Sequence, residues 1–473
     1  MNKGIDSLRS NSKIYFIGIG GISMSGLARL AQGYGFVVAG SDMHISERTK
    51  ELESKGIKVY GQQAASNILD FKPDYIVKTA AILPHNSEVI EAIAQGIQIF
   101  DRAEFLGLLT ESYERVINIS GTHGKTTVTA MTSMMLIDSD KDPTVHLGAE
   151  LDYFKGTIRF GHNRNLLISE ACEFNRSFLH FSSTTAAITN IDHDHVDCYP
   201  KLSDVVEVFA KFLDNVSDNG YVVVNGACQN TANALEIAKV AREILGRPMP
   251  NIITCNREEG GTFCAKNIGF VDGKPSYDIY YMDELIGHVN LRIPGLHNVD
   301  NSLIATACAF LNGASPEAIV KALNEFNGAD GRFTIKGKYR DCLVVADYAH
   351  HPAAARATIE AASHIPHREI IVVFQPLTFN RTKMLFEDYV TSLLPCKKVL
   401  FAEIFSDREV NTHEISSKDI SDEINNRGGD AEFFESKADL HKRLDEIIQP
   451  NDIILILGPE DIREFGDCLC PKG

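Results

Sequence analysis

The sequence predicts an α/β protein of three domains. At about 150 residues per domain, a chain of 473 residues has room for roughly three domains. Short apolar runs alternate with helix-like segments almost throughout, which is typical of parallel sheets covered by helices. This β-α pattern restarts near residues 115 and 329, so we expect domains at 1–114, 115–328 and 329–473.

The composition indicates an acidic protein that works in a reducing compartment. The chain has 46 Lys and Arg against 63 Asp and Glu, a net charge of −17. Such a surface repels phosphate backbones and anionic lipids, so we expect neither nucleic acid nor a membrane as a partner. The start has no apolar signal segment, and the longest apolar runs are only as long as strands. Ten scattered cysteines without a CxxC pair favour reduced, mostly buried thiols and a cytoplasmic location.

The first domain is expected to be a doubly wound, Rossmann-like sheet. Its first strand, KIYFI, runs into a glycine turn, and a helix with apolar spacing near 3.6 follows. Later strand candidates are FVVAGSD, IKVY, DYIVKTA and IQIF. Strands that alternate with helices in this way predict parallel pairing with helices on both faces.

The turn after the first strand holds Gly18, Gly20 and Gly21, followed by Ser23. Glycines there allow close backbone approach, and the helix N-terminus then presents amides to a diphosphate. Ser23 stands where the dinucleotide fingerprint has its third glycine, and Asp42 ends the second strand, where NAD enzymes place a ribose-binding acid. These residues alone leave open an NAD site, a site for another nucleotide diphosphate, and a turn without a ligand.

The second domain begins with the strand RVINIS and a glycine loop that opens a helix. Gly121 and Gly124 would let backbone amides wrap a phosphate, Lys125 would add a charge, and the Thr126 hydroxyl would offer a hard oxygen to Mg²⁺. The general Walker pattern has a glycine where this chain has Ile119. The order of strand, loop and helix still favours a P-loop that binds phosphate groups and Mg²⁺.

Two later strands of the second domain end in residues that can bind metal. LLISEACEFNRSFL places Glu170 and Glu173 at the end of one strand, and AAITNID runs into alternating Asp and His that include His195. Beside a P-loop, a carboxylate and an imidazole would complete a magnesium site, although Mg²⁺ prefers oxygen ligands. The alternative is a polar loop that caps a helix beginning near Leu202.

The rest of the chain continues the α/β pattern. YVVVNG and NIITC predict two more strands of the second domain, the polar stretch 256–284 looks like hairpins or an insertion, and two helices follow. The third domain repeats the β-α order with CLVVADYA, REIIVVF, KKVLFAE and DIILILG. We expect it to be a second Rossmann-like domain.

Six segments, read in order, resemble the Mur ligase family: FIGIGGISMSGLA, GTHGKTT, EACEFNRSFL, TNIDHDHVDCY, PGLHNVDN and DYAHHP. The resemblance implies ATP-dependent amide bond formation in cytoplasmic peptidoglycan synthesis, with ATP and Mg²⁺ as cofactors. The substrates it implies are UDP-N-acetylmuramate, through its lactyl carboxylate, and L-alanine. It also implies a Rossmann-like UDP-sugar domain, a central P-loop ATPase domain, and a Rossmann-like C-terminal domain that closes over the site.

The resemblance also implies roles for residues of this sequence. The expected UDP-sugar residues are Gly18, Gly20, Gly21, Ser23, Asp42 and Arg176. The expected ATP residues are Gly121, Thr122, His123, Gly124, Lys125, Thr126, Thr127, Asn298 and Asp347. The expected metal ligands are Thr126, Glu170 and His195, and the expected catalytic residues are Lys125, Glu170, His195 and Arg332. Arg381 and His350 are expected on the amino-acid side, and His195, His350 and His351 are candidates for the general base by type and position.

The third domain departs from the family pattern at several positions, which include Ala353 and Ala354 in place of a Thr-Glu pair. Gly331 stands in place of the first arginine of an Arg-Arg-Phe triplet, and Leu377 and Thr378 replace a histidine and an arginine. A lost guanidinium beside a carboxylate removes a pair worth about 1.5–3 kcal/mol. We therefore expect intact UDP-sugar and ATP sites but weaker or altered recognition of L-alanine.

Three questions stay open at this point. The chain would also suit a ligase that adds glycine or serine to the same UDP-sugar, or a non-catalytic UDP-sugar-binding regulator. Retention of Lys125, Thr126, Glu170 and His195 argues against the regulator, because a pure binder has no use for a metal-phosphate site. The sequence is compatible with a monomer or a homodimer.

Overall fold

The computed structural model describes residues 4–79, 81–257, 260–406, 409 and 411–471. It contains three sheets of five, ten and six strands, which follow one another along the chain. The predicted α/β class is therefore confirmed. All ten cysteines are free thiols; four are buried and one is exposed. Within the described ranges, no helix combines the length and the apolar character that crossing a bilayer requires.

The first sheet is parallel throughout. Its strands are β1 Lys13–Ile17, β2 Val37–Ser41, β3 Lys58–Tyr60, β4 Tyr75–Lys78 and β5 Gln98–Asp101. Its helices are α1 Ile22–Gly33, α2 Glu47–Ser54, α3 Ala65–Phe71, α4 Ser87–Ala94 and α5 Arg102–Thr110. The strand order β3-β2-β1-β4-β5 is Rossmann-like, and it reverses between β1 and β4. The glycine turn after β1 therefore lies at the switch point, where such sheets bind ligands.

The second sheet is mixed. Its strands are β6 Arg115–Ser120, β7 Thr144–Leu151, β8 Gly156–Arg159, β9 Leu166–Glu170, β10 Ser183–Ile188, β11 Val216–Asn225, β12 Asn251–Arg257, β13 Phe263–Val271, β14 Lys274–Tyr281 and β15 Glu284–Asn290. Its helices are α6 Lys125–Asp138, α7 Leu202–Asp214, α8 Gln229–Ile244, α9 Leu296–Leu311 and α10 Pro316–Glu325. The order is β15-β14-β13-β12-β11-β10-β6-β9-β7-β8. The polar stretch 256–284 forms antiparallel hairpins, one of the two predicted outcomes.

The third sheet has parallel strands with one antiparallel edge. Its strands are β16 Thr334–Tyr339, β17 Cys342–Asp347, β18 Ile370–Phe374, β19 Lys398–Ala402, β20 Ala431–Phe434 and β21 Ile453–Leu457. Its helices are α11 Pro352–Ser363, α12 Phe379–Met384, α13 Phe386–Leu393, α14 Ser417–Asn426, α15 Lys437–Ile447 and α16 Glu460–Leu469. The order is β16-β17-β21-β18-β19-β20, and only β16 is antiparallel to its neighbour.

The first two sheets share a hydrophobic core, whereas the third has its own. Phe105 of α5 and Phe178, which follows β9, belong to one apolar cluster. Helix α1 also lies against β8, because a Cβ on Gly26 would stand 2.6 Å from Ile158. The two apolar clusters of the third sheet contain only residues of that part of the chain. The third domain thus has its own core, and it meets the others at the site described next and at Phe270, whose ring stacks on that of His364.

Candidate active site

One cleft of about 1360 Å³ lies between the three sheets. Its lining includes residues that directly follow strands in each sheet, such as Arg102 after β5, Lys125 on the loop after β6, and Leu377 after β18. Since the carboxyl ends of parallel strands carry the ligand sites of α/β sheets, the three sheets present their binding edges to one volume.

The loop after β6 has the backbone of a phosphate cradle. Gly121 and Gly124 have φ angles of +131° and +84°. A Cβ at these positions would stand 2.0 Å from Thr189 Oγ1 and 2.4 Å from Asn301 Oδ1, so both positions require glycine. Helix α6 begins directly after Gly124, and its unpaired first-turn amides therefore lie at the cleft.

Lys125 is held in this cradle by a buried carboxylate. Its Nζ lies 2.9 Å from Oε2 of Glu173, which is only 2% exposed, and it also donates to the carbonyl of Thr122. Burial disfavours the charged ammonium, but the attraction of Glu173 together with that of Cys172 and Glu170 outweighs it, so the pKa of Lys125 is raised. The sequence indicated Glu173 only as a strand-end carboxylate that can bind metal, and its pairing with Lys125 was not predicted.

The three predicted metal ligands form two adjacent groups. Thr126 Oγ1 donates to Glu170 Oε1 at 3.1 Å, while His195 Nε2 lies 3.8 Å from Glu173. Burial lowers the pKa of His195, which keeps its imidazole neutral, and its buried Nδ1 has no hydrogen-bond partner in the described part of the chain. A hydroxyl, a carboxylate and an unpaired neutral imidazole make a donor set that fits a divalent cation.

A buried ion pair joins the third domain to this site. Arg381 of α12 is 2% exposed, and its Nη2 lies 2.7 Å from Oδ1 of Asp194 in the second domain. Burial opposes the carboxylate, yet the guanidinium holds the pKa of Asp194 well below its usual range. Within the described residues, Nε and Nη1 of Arg381 have no partner. The predicted amino-acid-binding arginine therefore anchors the domain contact and keeps two donors at the cleft.

The other predicted residues of the third domain also line the cleft. Asp347 accepts a hydrogen bond from the amide of Phe333 at 2.7 Å, and the guanidinium of Arg332 lies 5.1 Å from the ring centre of Tyr348. His350 is half-buried, desolvation lowers its pKa well below the usual value, and its Nδ1 lies 2.8 Å from the carbonyl oxygen of Tyr348.

The remaining ATP candidates come from the second domain. Thr122, His123 and Thr127 line the cleft beside Lys125. Asn298, at the start of α9, also lines it, and its amide donates to the Pro294 carbonyl at 2.7 Å. The cleft thus brings the predicted ATP residues together.

The glycine turn of the first domain borders the cleft. A Cβ on Gly18 would stand 2.8 Å from Thr79, a cleft residue, and the amide of Gly20 donates to Asp42 Oδ2 at 2.8 Å. Asp42 therefore holds the turn in shape. Ser23 accepts from Nη1 of Arg102 at 3.0 Å. Arg102, which sequence reasoning did not single out, places a positive charge beside this turn.

Arg176 lies outside the main cleft. It is exposed, has a φ of +58°, and lines a separate cavity of about 140 Å³ together with Cys198 and Lys211. Its contact with the UDP-sugar stays a prediction.

His146 makes folding sensitive to acid. It lies between the first two domains, with Nε2 3.0 Å from Ser23 Oγ, and burial together with the charge of Arg102 lowers its pKa to about 3. The unfolded chain binds a proton near pH 6.5 while the folded chain does not, so stability falls as pH drops below 6.5. We expect this residue to remove about 2 kcal/mol of unfolding free energy between pH 6.5 and 5.

His146→Gln tests this by denaturant unfolding at the two pH values. The variant should lose less stability on acidification than the parent, and His85→Gln, at an exposed position, is the matched control. An unchanged pH dependence in His146→Gln would contradict the prediction.

Known proteins resemble the chain over nearly its whole length. The profile of the Mur ligase family, catalytic domain, matches residues 13–114, that of the Mur ligase middle domain matches 119–309, and that of the Mur ligase, glutamate ligase domain, matches 331–459. The UDP-N-acetylmuramate–L-alanine ligases of Clostridium novyi (strain NT) and Clostridium acetobutylicum are 37% and 38% identical over 458 and 467 residues. These alignments cover 97% and 98% of both chains.

A solved structure agrees with this result. The crystal structure of the UDP-N-acetylmuramate–alanine ligase from Thermotoga maritima matches with a TM-score of 0.78 at 27% identity, over 97% of this chain and 98% of that one. Because sequence identity, domain order and fold all agree from end to end, the chain belongs to the Mur ligase family of ATP-dependent ligases.

Proposed function

We propose that the protein joins L-alanine to the lactyl carboxylate of UDP-N-acetylmuramate, with ATP as the energy source, for peptidoglycan synthesis in the cytoplasm. The observation that carries the proposal is the single cleft that combines the P-loop, the Thr126–Glu170 pair and the arginines of the flanking domains. The names of the relatives support the same reaction. Free thiols at all ten cysteines suit a reducing compartment.

Each domain has a separate task in this proposal. Residues 1–114 bind the UDP-sugar, with its diphosphate at the glycine turn beside Arg102. Residues 115–328 bind ATP at the P-loop. Residues 329–473 carry Arg332 and Arg381 and close the cleft. The separate core of the third domain supports closure as a rigid body, which keeps water from a reactive intermediate.

The cofactors are ATP and Mg²⁺. Thr126, Glu170 and His195 would hold the cation, which would offset the negative charge of the phosphates. Lys125 would bind the β- and γ-phosphate oxygens at the start of α6. Asn298 and Asp347 would contact the nucleotide from opposite sides of the cleft.

The reaction would proceed in two steps. A lactyl carboxylate oxygen attacks the γ-phosphorus of ATP, the bond to the β-phosphate oxygen breaks, and an acyl phosphate and ADP form. The neutral amine of L-alanine then attacks the acyl carbon, and phosphate leaves as the amide forms. All reacting groups of the first step are anionic, so Lys125 and Arg332 would stabilise the phosphoryl group in flight.

A base must remove a proton from the alanine ammonium before the attack. His351 already uses both ring nitrogens, with Nε2 at the carbonyl of His193 and Nδ1 at the amide of Ala353. Burial keeps His195 and His350 neutral, and a neutral imidazole accepts a proton. Because the free ring nitrogen of His195 would hold the cation, His350 is the candidate base that remains.

The decisive experiment measures ADP release from purified protein with UDP-N-acetylmuramate, ATP and each of the twenty amino acids. We expect release that requires the UDP-sugar and is highest with L-alanine. Higher turnover with glycine or serine would support the paralogous ligase instead. No release with any amino acid, while UDP-N-acetylmuramate still binds, would support the non-catalytic regulator.

The same assay tests the prediction that L-alanine is bound weakly. Leu377 and Thr378 line the cleft near Arg381 but provide no charge for the carboxylate of an amino acid. The loss of one charge-assisted pair weakens binding about 10- to 150-fold. We expect half-saturation at millimolar L-alanine, with ordinary values for ATP and the UDP-sugar. Full turnover at sub-millimolar L-alanine would refute this.

A further inference from the structure

The guanidinium of Arg463 occupies the space that a side chain at position 331 would fill. Gly331 has a φ of +71°, and a Cβ on it would stand 2.2 Å from Nη1 and 3.0 Å from Cζ of Arg463. Arg463 lies in the first turns of α16, which follows β21 at the far end of the chain. The absence of a side chain at position 331 therefore makes room for a cation supplied from elsewhere in the third domain.

Arg463 packs directly behind the cleft. The ring of Tyr348 has the guanidinium of Arg332 at 5.1 Å and that of Arg463 at 5.3 Å from its centre. The Arg463 side chain is 13% exposed, and its Nη2 lies 3.7 Å from Glu460 Oε1. Its buried Nε has no hydrogen-bond partner among the residues that the structure describes.

Two residues that Arg463 contacts, Tyr348 and Glu460, line the cleft, as does Arg332 on the same tyrosine ring. Desolvation raises the pKa of the Asp347 carboxyl, and the guanidinium groups of Arg332 and Arg463 offset part of that rise. A substitution of Arg463 would therefore displace Tyr348 and Arg332, which lie on the nucleotide-binding side of the third domain.

We propose that Arg463 is a positioning residue for phosphoryl transfer, which takes the place of a missing arginine at position 331. It holds Tyr348 and Arg332 in position and adds the second positive charge beside Asp347. The inference rests on the proposed function, because that function assigns Arg332 to the transferred phosphate.

Substitutions at Arg463 separate its charge from its volume. In Arg463→Met the volume is kept and the charge is lost, and kcat should fall about 10- to 100-fold, since small displacements of a catalytic group have effects of this size. KM for L-alanine and for the UDP-sugar should change less than about twofold, as expected for an interaction used in the transition state. Arg463→Lys should recover part of the rate, because it restores the charge.

Gly331→Ala tests the same contact without changing Arg463. The new methyl group meets the flexible end of Arg463, so the guanidinium must move and kcat should fall as in Arg463→Met. Gly428→Ala is the matched control, because Gly428 lies in the same domain with a φ of +86° and has no atom within 4 Å of its added Cβ. Since both substitutions act through one guanidinium, Gly331→Ala combined with Arg463→Met should be no slower than Arg463→Met alone.

The outcomes distinguish this inference from the proposed function. If the parent protein releases no ADP with UDP-N-acetylmuramate and L-alanine, the proposed function fails and the role of Arg463 fails with it. If the parent is active and Arg463→Met keeps kcat within twofold, only the role of Arg463 is overturned. Additive effects of Gly331→Ala and Arg463→Met, or equal loss in Gly428→Ala, would also overturn it.

Discussion

Lys125→Met lowers the rate of ADP release by at least about a thousandfold, which is the largest effect we expect from a single substitution. Lys125 Nζ lies within the phosphate-binding loop and pairs with Glu173 at 2.9 Å. Without the positive charge of Lys125, less of the electrostatic repulsion between the phosphates of ATP and the carboxylate of the UDP-sugar is offset. The measurement is ADP release at saturating ATP, UDP-N-acetylmuramate and L-alanine.

A second effect of this substitution must be separated from the first. Lys125→Met leaves the buried carboxylate of Glu173 unpaired, which costs about 3–5 kcal/mol of folding stability. The double variant Lys125→Met/Glu173→Gln should recover the thermal midpoint and stay inactive. Lys239→Ala, at an exposed position on α8, is the control that should behave like the parent. Substantial ADP release from the folded double variant would contradict the role of Lys125.

Arg381→Met destabilises the docked third domain by about 3–5 kcal/mol and abolishes most activity. The substitution leaves Asp194 buried without the guanidinium that lies 2.7 Å from it. Because the pair joins two domains with separate cores, the loss appears as release of the third domain. Limited proteolysis and denaturant unfolding should show that domain as a separate, earlier transition.

The stability that the Arg381–Asp194 ion pair contributes depends on pH through the carboxyl group of Asp194. The pKa of Asp194 lies well below its usual value in the folded chain, so the pair stabilises the fold at neutral pH. That stability persists above the unfolded pKa and is lost only as the pH falls through the folded pKa.

Two further variants test the ion pair. Arg381→Met/Asp194→Asn should recover stability without activity, since it removes both charges. Lys418→Met breaks an exposed pair with Asp422 on α14 and should change stability by less than about 1 kcal/mol. If Arg381→Met unfolds like Lys418→Met, the pair does not hold the domains together.

The sequence predicted all strands of the first sheet and most strands of the other two, but it missed several strands at their margins. β17, β18, β19 and β21 lie within the apolar runs that predicted them, because strands buried on both faces need continuous apolar side chains. The sequence did not predict the edge strands β8, β16 and β20, which have at most one fully buried residue each, whereas it did predict the equally exposed edge strands β3 and β5 from IKVY and IQIF. The three missed strands form because a neighbour offers free backbone groups, which a local pattern does not reveal.

The candidate site also has features that the sequence predicted and contacts that it did not. The loop after β6 was predicted from a few adjacent residues, because glycines, a lysine and a threonine at fixed spacing determine a phosphate cradle locally. The sequence did not predict which residues those of the site contact. Lys125 and Glu173 are 48 positions apart, and Ser23 and His146 are 123 positions apart. Only the folding and docking of domains determine such contacts.

The sequence by itself determined the α/β class, the P-loop and the family, since these depend on local apolar runs and short motifs. It also showed that position 331 lacks an arginine and that a chain of net charge −17 must bind anions with few cations. The tertiary structure decided which cations those are. Arg463 fills the space beside Gly331, and Arg381 pairs with Asp194, because helices from different parts of the chain are packed against the same cleft.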